Sequence, residues 1–198
     1  YTKLILGGAS NAAHNVSTLN GNQVSVIGVM GEDYQAGQLI ETFKEAGIDT
    51  RYVIKDKTRK TTTKTRISGS ISTSITQQIV RLDRQTNSPI SEKTEEKVLR
   101  NIEKAIPHHD AVILSDYHIG TLTSRIINRS IELANKYNKI IVVDAQRNLQ
   151  NYKNVTSMTP NLPDTQKSVG FDIVDEKTLQ RAGDKLLFDT EAKFILIT

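Results

Sequence analysis

Cysteine is absent from the 198 residues, so neither a disulfide framework nor a thiolate metal site is available, which fits a reducing cytoplasm. The four histidines are scattered and too few to point to zinc, and His108-His109 after Pro107 reads as a solvated corner. No window approaches the roughly eighteen consecutive apolar residues of a membrane span, and the N-terminus lacks a charged-then-apolar secretory pattern. A soluble, cytoplasmic protein with no membrane partner is therefore expected. Hydrophobic residues make up only 37 %, yet the length is ample for burying a core. No internal repeat and no low-complexity linker is found.

The net charge is +4, and its distribution matters more than its total. Lys55, Lys57, Arg59, Lys60, Lys64 and Arg66 crowd one short segment in which Asp56 is the acid. No aromatic residue interleaves with these charges and no nucleic-acid module frames them, so nucleic acid is not the expected partner. A small phosphorylated ligand matches the cluster at least as well; a wet face of an edge hairpin is the other reading.

What is present begins with Leu6-Gly7-Gly8-Ala9-Ser10-Asn11-Ala12-Ala13-His14-Asn15, which joins the apolar run Leu4-Ile5-Leu6 to a helix as a strand-to-helix joint. Ala9, Ala12, Ala13 and Val16 recur at helical spacing, and Asn20-Gly21 is the stop signal. Adjacent glycines serve plain turn geometry, and they also clear side chains from a place a ligand can approach. Unpaired N–H groups and the positive end of the helix dipole there suit a sugar hydroxyl or an anion, with Asn11 in the first turn.

The rest of the chain alternates strand and helix. Gln23–Met30 reads as a buried strand, and Ala36, Leu39, Ile40, Phe43 and Ala46 mark a helix that Gly47 ends. From Arg51 to Asp83 the rhythm breaks: Thr61–Ser68 alternates so that Lys64 and Arg66 share a face, Ile75–Asp83 groups Ile79, Arg81 and Asp83, and Gly69-Ser70 is the expected hairpin connection. Ser91 caps a helix that buries Val98, Leu99, Ile102, Ala105 and Ile106. Ala111–Leu114 is an apolar strand that runs into Ser115-Asp116-Tyr117; then come a helix with Ile126, Ile127, Ser130, Ile131, Ala134 and Tyr137 on one side and the strand Ile140–Val143, which ends at Asp144. A very short strand and a turn at Met158-Thr159-Pro160-Asn161, a helix with Leu179, Ala182, Leu186 and Leu187, and the strand Phe194–Ile197 complete the pattern. Apolar strands alternating with helices predict an α/β fold, a doubly wound and mostly parallel sheet flanked by helices, with the antiparallel pair as a small β lid. Ligands in such sheets sit beyond the carboxyl ends of strands, where Asp116 and Asp144 fall, although helix capping and loop solvation also account for both.

Several separated motifs coincide with one family. Gly7-Gly8-Ala9-Ser10-Asn11-Ala12-Ala13-His14-Asn15, with Val26-Ile27-Gly28-Val29-Met30-Gly31-Glu32-Asp33 and Gly37 after it, resembles the N-terminal signature of the ribokinase-like (PfkB) carbohydrate kinases. Thr61-Thr62-Thr63-Lys64-Thr65-Arg66, Arg81-Leu82-Asp83, Leu114-Ser115-Asp116-Tyr117 and Thr159-Pro160-Asn161 look more like the branch that phosphorylates D-glycero-beta-D-manno-heptose 7-phosphate at its anomeric position.

The resemblance implies one ribokinase-like domain over 1–198 with lid strands within about 51–83. It further implies ATP and Mg2+ as cofactors, a sugar or sugar phosphate as substrate, and a homodimer through the lid. Carried over by position, Gly7, Gly8, Asn11 and Asp116 contact the sugar, and Lys64, Arg66 and Arg81 offer charge-assisted hydrogen bonds to a substrate phosphate. Asn161 with Asp164 corresponds to the family's Asn-x-x-Glu element near magnesium and the nucleotide phosphates; direct metal ligands are not assigned. The family's catalytic aspartate and anion hole are expected beyond Thr198 and its first strand before Tyr1. The domain is thus expected to be incomplete at both ends, with no catalytic residue inside it and no turnover by this stretch alone. His118-Ile119-Gly120 stands where the branch has Gly-Lys-Gly, Asp144-Ala145-Gln146 where it has Asp-Pro-Lys, and Asp164 where it has Glu. These departures keep a second function open, a non-catalytic sugar-phosphate-binding or scaffold protein of the same fold.

Overall fold

A computed structural model describes residues 2–19, 23–72 and 75–198, and the chain divides into two compact units, residues 1–88 and 89–198.

In the first unit, helix α1 (Ala9–Ser17) starts at Gly8, whose backbone (φ 55°, ψ −135°) is open essentially to glycine alone. The expected strand at Leu4-Ile5-Leu6 does not form. Those residues have no ladder partner among the described ones, Leu4 and Ile5 are exposed, and Leu6 instead packs into a cluster with Phe43 and Ile48. Asn20-Gly21 lies outside the described residues. Strand β1 (Ser25–Met30) pairs in parallel with β2 (Asp49–Lys55), and α2 (Tyr34–Glu45) makes the crossover. The parallel rhythm therefore continues through Lys55 rather than breaking at Arg51. Asp49, Arg51 and Lys55 dilute the apolar signal of a strand that buries only Ile54.

Strands β3 (Thr63–Ser72) and β4 (Ile75–Arg84) form an antiparallel ribbon. Gly69 and Ser70 lie inside β3, paired with Gln77 and Thr76, so they are not the hairpin connection. The Ile-Ser alternation around Gly69 carries the ladder past it, as far as Ser72 opposite Ile75.

The second unit holds a four-stranded parallel sheet in the order β5 (Ala111–Asp116), β6 (Ile140–Ala145), β7 (Ser157–Met158), β8 (Phe194–Ile195). Its helices α3 (Glu92–Ala105), α4 (Ser124–Lys136), α5 (Leu162–Val169) and α6 (Glu176–Thr190) are N-capped by the side chains of Ser91, Thr123, Asn161 and Asp175. Ile127, Ile131, Ile141, Val143, Met158 and Leu186 are core members. The predicted inner faces of α3 and α4 are buried apart from Tyr137, which lies just past the end of α4 and is exposed; Leu179 on α6 is exposed as well. The fold is α/β with parallel sheets and six described helices. β5 and β6 run two residues further than the apolar runs that mark them, which places Ser115 opposite Asp144 at the carboxyl end of the sheet. Among the described residues no helix is long and apolar enough to cross a membrane.

Candidate functional site

The ribbon gathers charge by its register. Lys64 stands opposite Asp83 and Arg66 opposite Arg81, and strand alternation puts all four on one face. Arg81 grips Asp83 as a fork, Nε to Oδ1 at 2.9 Å and a terminal nitrogen to Oδ2 at 2.7 Å. That bond, with the charges of Lys64 and Arg66 added, holds the Asp83 carboxyl below its ordinary value. Directly opposed like charges are unfavourable in a ladder. Asp83 offsets one of the three cations, which leaves this face with an excess of positive charge. The other face of the ribbon carries Ile67, Val80 and Leu82, all exposed.

At the start of α1 no side chain caps the helix and its first turn carries no acid. Gly7, Gly8 and Asn11 are exposed there, and a methyl group built on Gly7 meets nothing within 4 Å. Protein packing therefore does not demand glycine at position 7, whereas the backbone does at position 8.

In the second unit the carboxyl ends of the strands carry the titratable groups. Asp116 is buried and both its oxygens are engaged: the Tyr152 hydroxyl donates to Oδ2 at 2.7 Å, and the His118 backbone N–H donates to Oδ1 at 2.8 Å. Burial, reinforced by that bond and by the Asp116 charge, pushes the Tyr152 phenol far up, so it stays a donor. His118 itself takes up a left-handed backbone, φ 53°. Asp144 is raised above its ordinary value by burial and then by the neighbouring Asp164 charge. Burial and Asp144 in turn raise Tyr117. Asn161 spends its Oδ1 on capping α5, accepting from the Asp164 N–H at 2.8 Å, which fixes Asp164 in the first turn of that helix.

Among the described residues no group of three or more His, Cys, Asp or Glu is placed to hold a metal ion. Two mutually repelling carboxylates, Asp144 and Asp164, nonetheless fit a magnesium ion whose remaining ligands are phosphate oxygens and water, the usual mode for this cation. A surface depression of about 830 Å3 in the second unit lies elsewhere, at the amino ends of β7 and β8, and is lined by Asn128, Asn135, Lys153, Asn154 and Lys193.

The structure thus brings Lys64, Arg66 and Arg81 together on one ribbon, Gly7, Gly8 and Asn11 at one helix start, and Asp116, Asn161 and Asp164 among the strand ends of the second unit. Arg59 leaves the basic cluster: its guanidinium donates to the carbonyls of Ser88 and Thr86, at 2.7 and 2.9 Å. Tyr152 and Asp33 carry contacts that sequence reasoning missed, because their partners lie 36 and 28 residues away.

The sequence profile described as pfkB family carbohydrate kinase matches residues 1–198. The bifunctional protein HldE of Wolinella succinogenes is 37% identical over 194 residues, 98% of this chain and 40% of the relative. The bifunctional protein HldE of Helicobacter pylori is 36% identical over 178 residues, 89% of this chain and 37% of the relative. This chain spans about two fifths of the length of such relatives. Among solved structures, phosphofructokinase-2 from Escherichia coli in complex with fructose-6-phosphate superposes with a TM-score of 0.74 at 14% identity, covering 96% of this chain and 61% of that one. The 2-dehydro-3-deoxygluconokinase of Thermotoga maritima gives 0.73 at 14% identity, covering 96% and 62%. The fold is shared with these structures.

Proposed function

Because this chain belongs to the pfkB family of carbohydrate kinases, we propose that it is the substrate-reading part of an ATP-dependent kinase acting on a sugar phosphate, with a heptose 7-phosphate-like substrate favoured. The observation that carries this reading is the ribbon face, where Lys64, Arg66 and Arg81 outnumber Asp83 three to one. An Arg fork and a Lys ammonium are the groups that bind a phosphate by charge-assisted hydrogen bonds.

Gly7 and Gly8 let the sugar approach the backbone, and Asn11 offers its amide to a hydroxyl. Asp116, in the second unit, keeps capacity for a ligand hydroxyl, since a carboxylate has about four lone-pair sites and Tyr152 and His118 take two of them. Asn161 holds Asp164 in place, and Asp164 with Asp144 is suited to the magnesium that accompanies the nucleotide. That ion, when bound, neutralises charge on the phosphates during transfer. The chain's own residues bind and orient, and positioning together with charge neutralisation supplies most of the catalysis in phosphoryl transfer.

A second copy of the chain covers the apolar ribbon face of Ile67, Val80 and Leu82, giving a homodimer. Light scattering on wild type and on Leu82→Lys tests this: a dimer that the substitution dissociates supports it, and a monomeric wild type contradicts it.

The function itself is tested by ADP release from the complete encoded protein with ATP and magnesium, offered heptose 7-phosphate, fructose phosphates, fructose and ribose. Turnover restricted to phosphorylated sugars supports the reading. Binding of a sugar phosphate with no turnover on any of them moves the function to the non-catalytic binder.

A further inference from the structure

The root of the β3–β4 ribbon is fastened to the neighbouring β1–α2 segment by one carboxylate and one hydroxyl. Asp33 Oδ1 caps α2 by accepting from the Ala36 N–H at 3.0 Å, and it also accepts from the Thr61 hydroxyl at 2.6 Å. Its Oδ2 accepts from the Thr61 N–H at 2.9 Å, and the Thr61 hydroxyl oxygen accepts in turn from the Gly31 N–H at 3.0 Å. Thr61 is buried. The chain passes so close that a methyl group on Gly31 would stand 2.7 Å from the Arg59 carbonyl oxygen and 2.8 Å from the Thr61 nitrogen. The outgoing stem is fastened separately, by Arg59 reaching the carbonyls of Thr86 and Ser88.

A two-stranded ribbon twists strongly and has little stability of its own, so its attitude is decided where it is rooted. Thr61 precedes Lys64 by three residues, roughly 10 Å of extended chain. A small rotation at Thr61 therefore displaces the whole cationic face.

We propose that Asp33 and Thr61 are positioning residues that hold Lys64, Arg66 and Arg81 at one attitude for the substrate phosphate, with Arg59 as the second fastening. This rests on the reading of the ribbon face as the phosphate contact. Neither Asp33 nor Thr61 touches substrate; each acts through β3, which begins two residues after Thr61.

The test uses the full-length protein. Thr61→Val removes the hydroxyl with little change of shape, and Thr61→Ser restores it. In Thr61→Val, KM for the sugar phosphate is expected to rise about tenfold, the worth of one hydrogen bond to a charged group, while kcat and KM for ATP stay within about twofold. Hydrogen exchange at residues 61–66 is expected to speed up with that of α2 unchanged, and Thr61→Ser behaves as wild type. If Thr61→Val does not fold, Arg59→Met is expected to give the same split between KM and kcat. Faster exchange at 61–66 with unchanged KM overturns the positioning role, and so does a parallel loss of every kinetic parameter. The double variant Lys64→Ala/Arg66→Ala separates the two levels. If it raises KM while Thr61→Val and Arg59→Met do not, the positioning role alone fails; if it leaves KM unchanged, the phosphate reading fails and the positioning role with it.

Discussion

The hydroxyl of Tyr152 donates to Oδ2 of Asp116 over 2.7 Å, joining a tyrosine that is 1 % exposed to an aspartate that is 6 % exposed. With the His118 N–H on the other oxygen, this bond sets the plane of the carboxylate at the end of β5. Tyr152→Phe keeps the ring and removes the donor, leaving a buried carboxylate with one partner fewer. A loss of about 1.5–3 kcal/mol in folding stability is expected, the usual worth of a hydrogen bond to a charged group. Urea unfolding measures it; an unchanged midpoint and slope would show that water replaces the phenol without cost.

Gly7 and Gly31 separate ligand approach from packing. A methyl group at Gly31 collides with backbone, so Gly31→Ala is expected to lose about 1–3 kcal/mol. The same substitution at Gly7 meets open space, so stability is expected to stay within about 0.5 kcal/mol while affinity for the sugar falls. Thermal unfolding of both variants, with calorimetric titration of the second, decides this. A Gly7→Ala protein that binds sugar normally returns that glycine to plain turn geometry.

Asp144 gives a pH signature. Its carboxyl is raised by burial and by Asp164, so the folded state holds its proton more tightly than the unfolded chain does. The ionised form then costs stability above the folded value, and the cost disappears as the pH falls through that value towards the ordinary carboxylate range. Asp144→Asn is expected to be more stable than wild type at neutral pH, with the gap closing in acid. Denaturant titrations at the two extremes check it, and a gap that widens in acid would reverse the sign of the shift.

The α3–α4 pair is held by Glu95, which is buried and accepts from the Thr123 hydroxyl and, at 2.6 Å, from Arg125. Thr123 is also the N-cap of α4, donated to by the Ile126 N–H at 3.3 Å. Glu95→Ala is expected to cost about 2 kcal/mol, whereas Arg125→Gln, on an exposed side chain, costs far less. Equal losses from both would place the strength of the clasp in the ion pair.

What the sequence revealed follows from how local each signal is. Val98, Leu99, Ile102 and Ala105 repeat at helical spacing on a wide apolar stripe, and α3 buries all four. The face shared by Lys64 and Arg66 needed only strand alternation. β2 was hidden because Asp49, Arg51 and Lys55 break an apolar pattern that only Ile54 buries fully. Gly69-Ser70 looked like a turn because the dipeptide commonly is one, yet alternation on both sides outweighed it. The Tyr152–Asp116 and Asp33–Thr61 bonds join residues with no common spacing, and only the folded chain brings them together.

The central claim is that the ribbon face reads a phosphate, and calorimetric titration of the complete protein with a sugar phosphate and its dephosphorylated parent tests it most directly. Wild type is expected to prefer the phosphorylated sugar, and Lys64→Ala/Arg66→Ala to bind the two alike while melting as wild type does. Retention of the full preference in that double variant would contradict the claim.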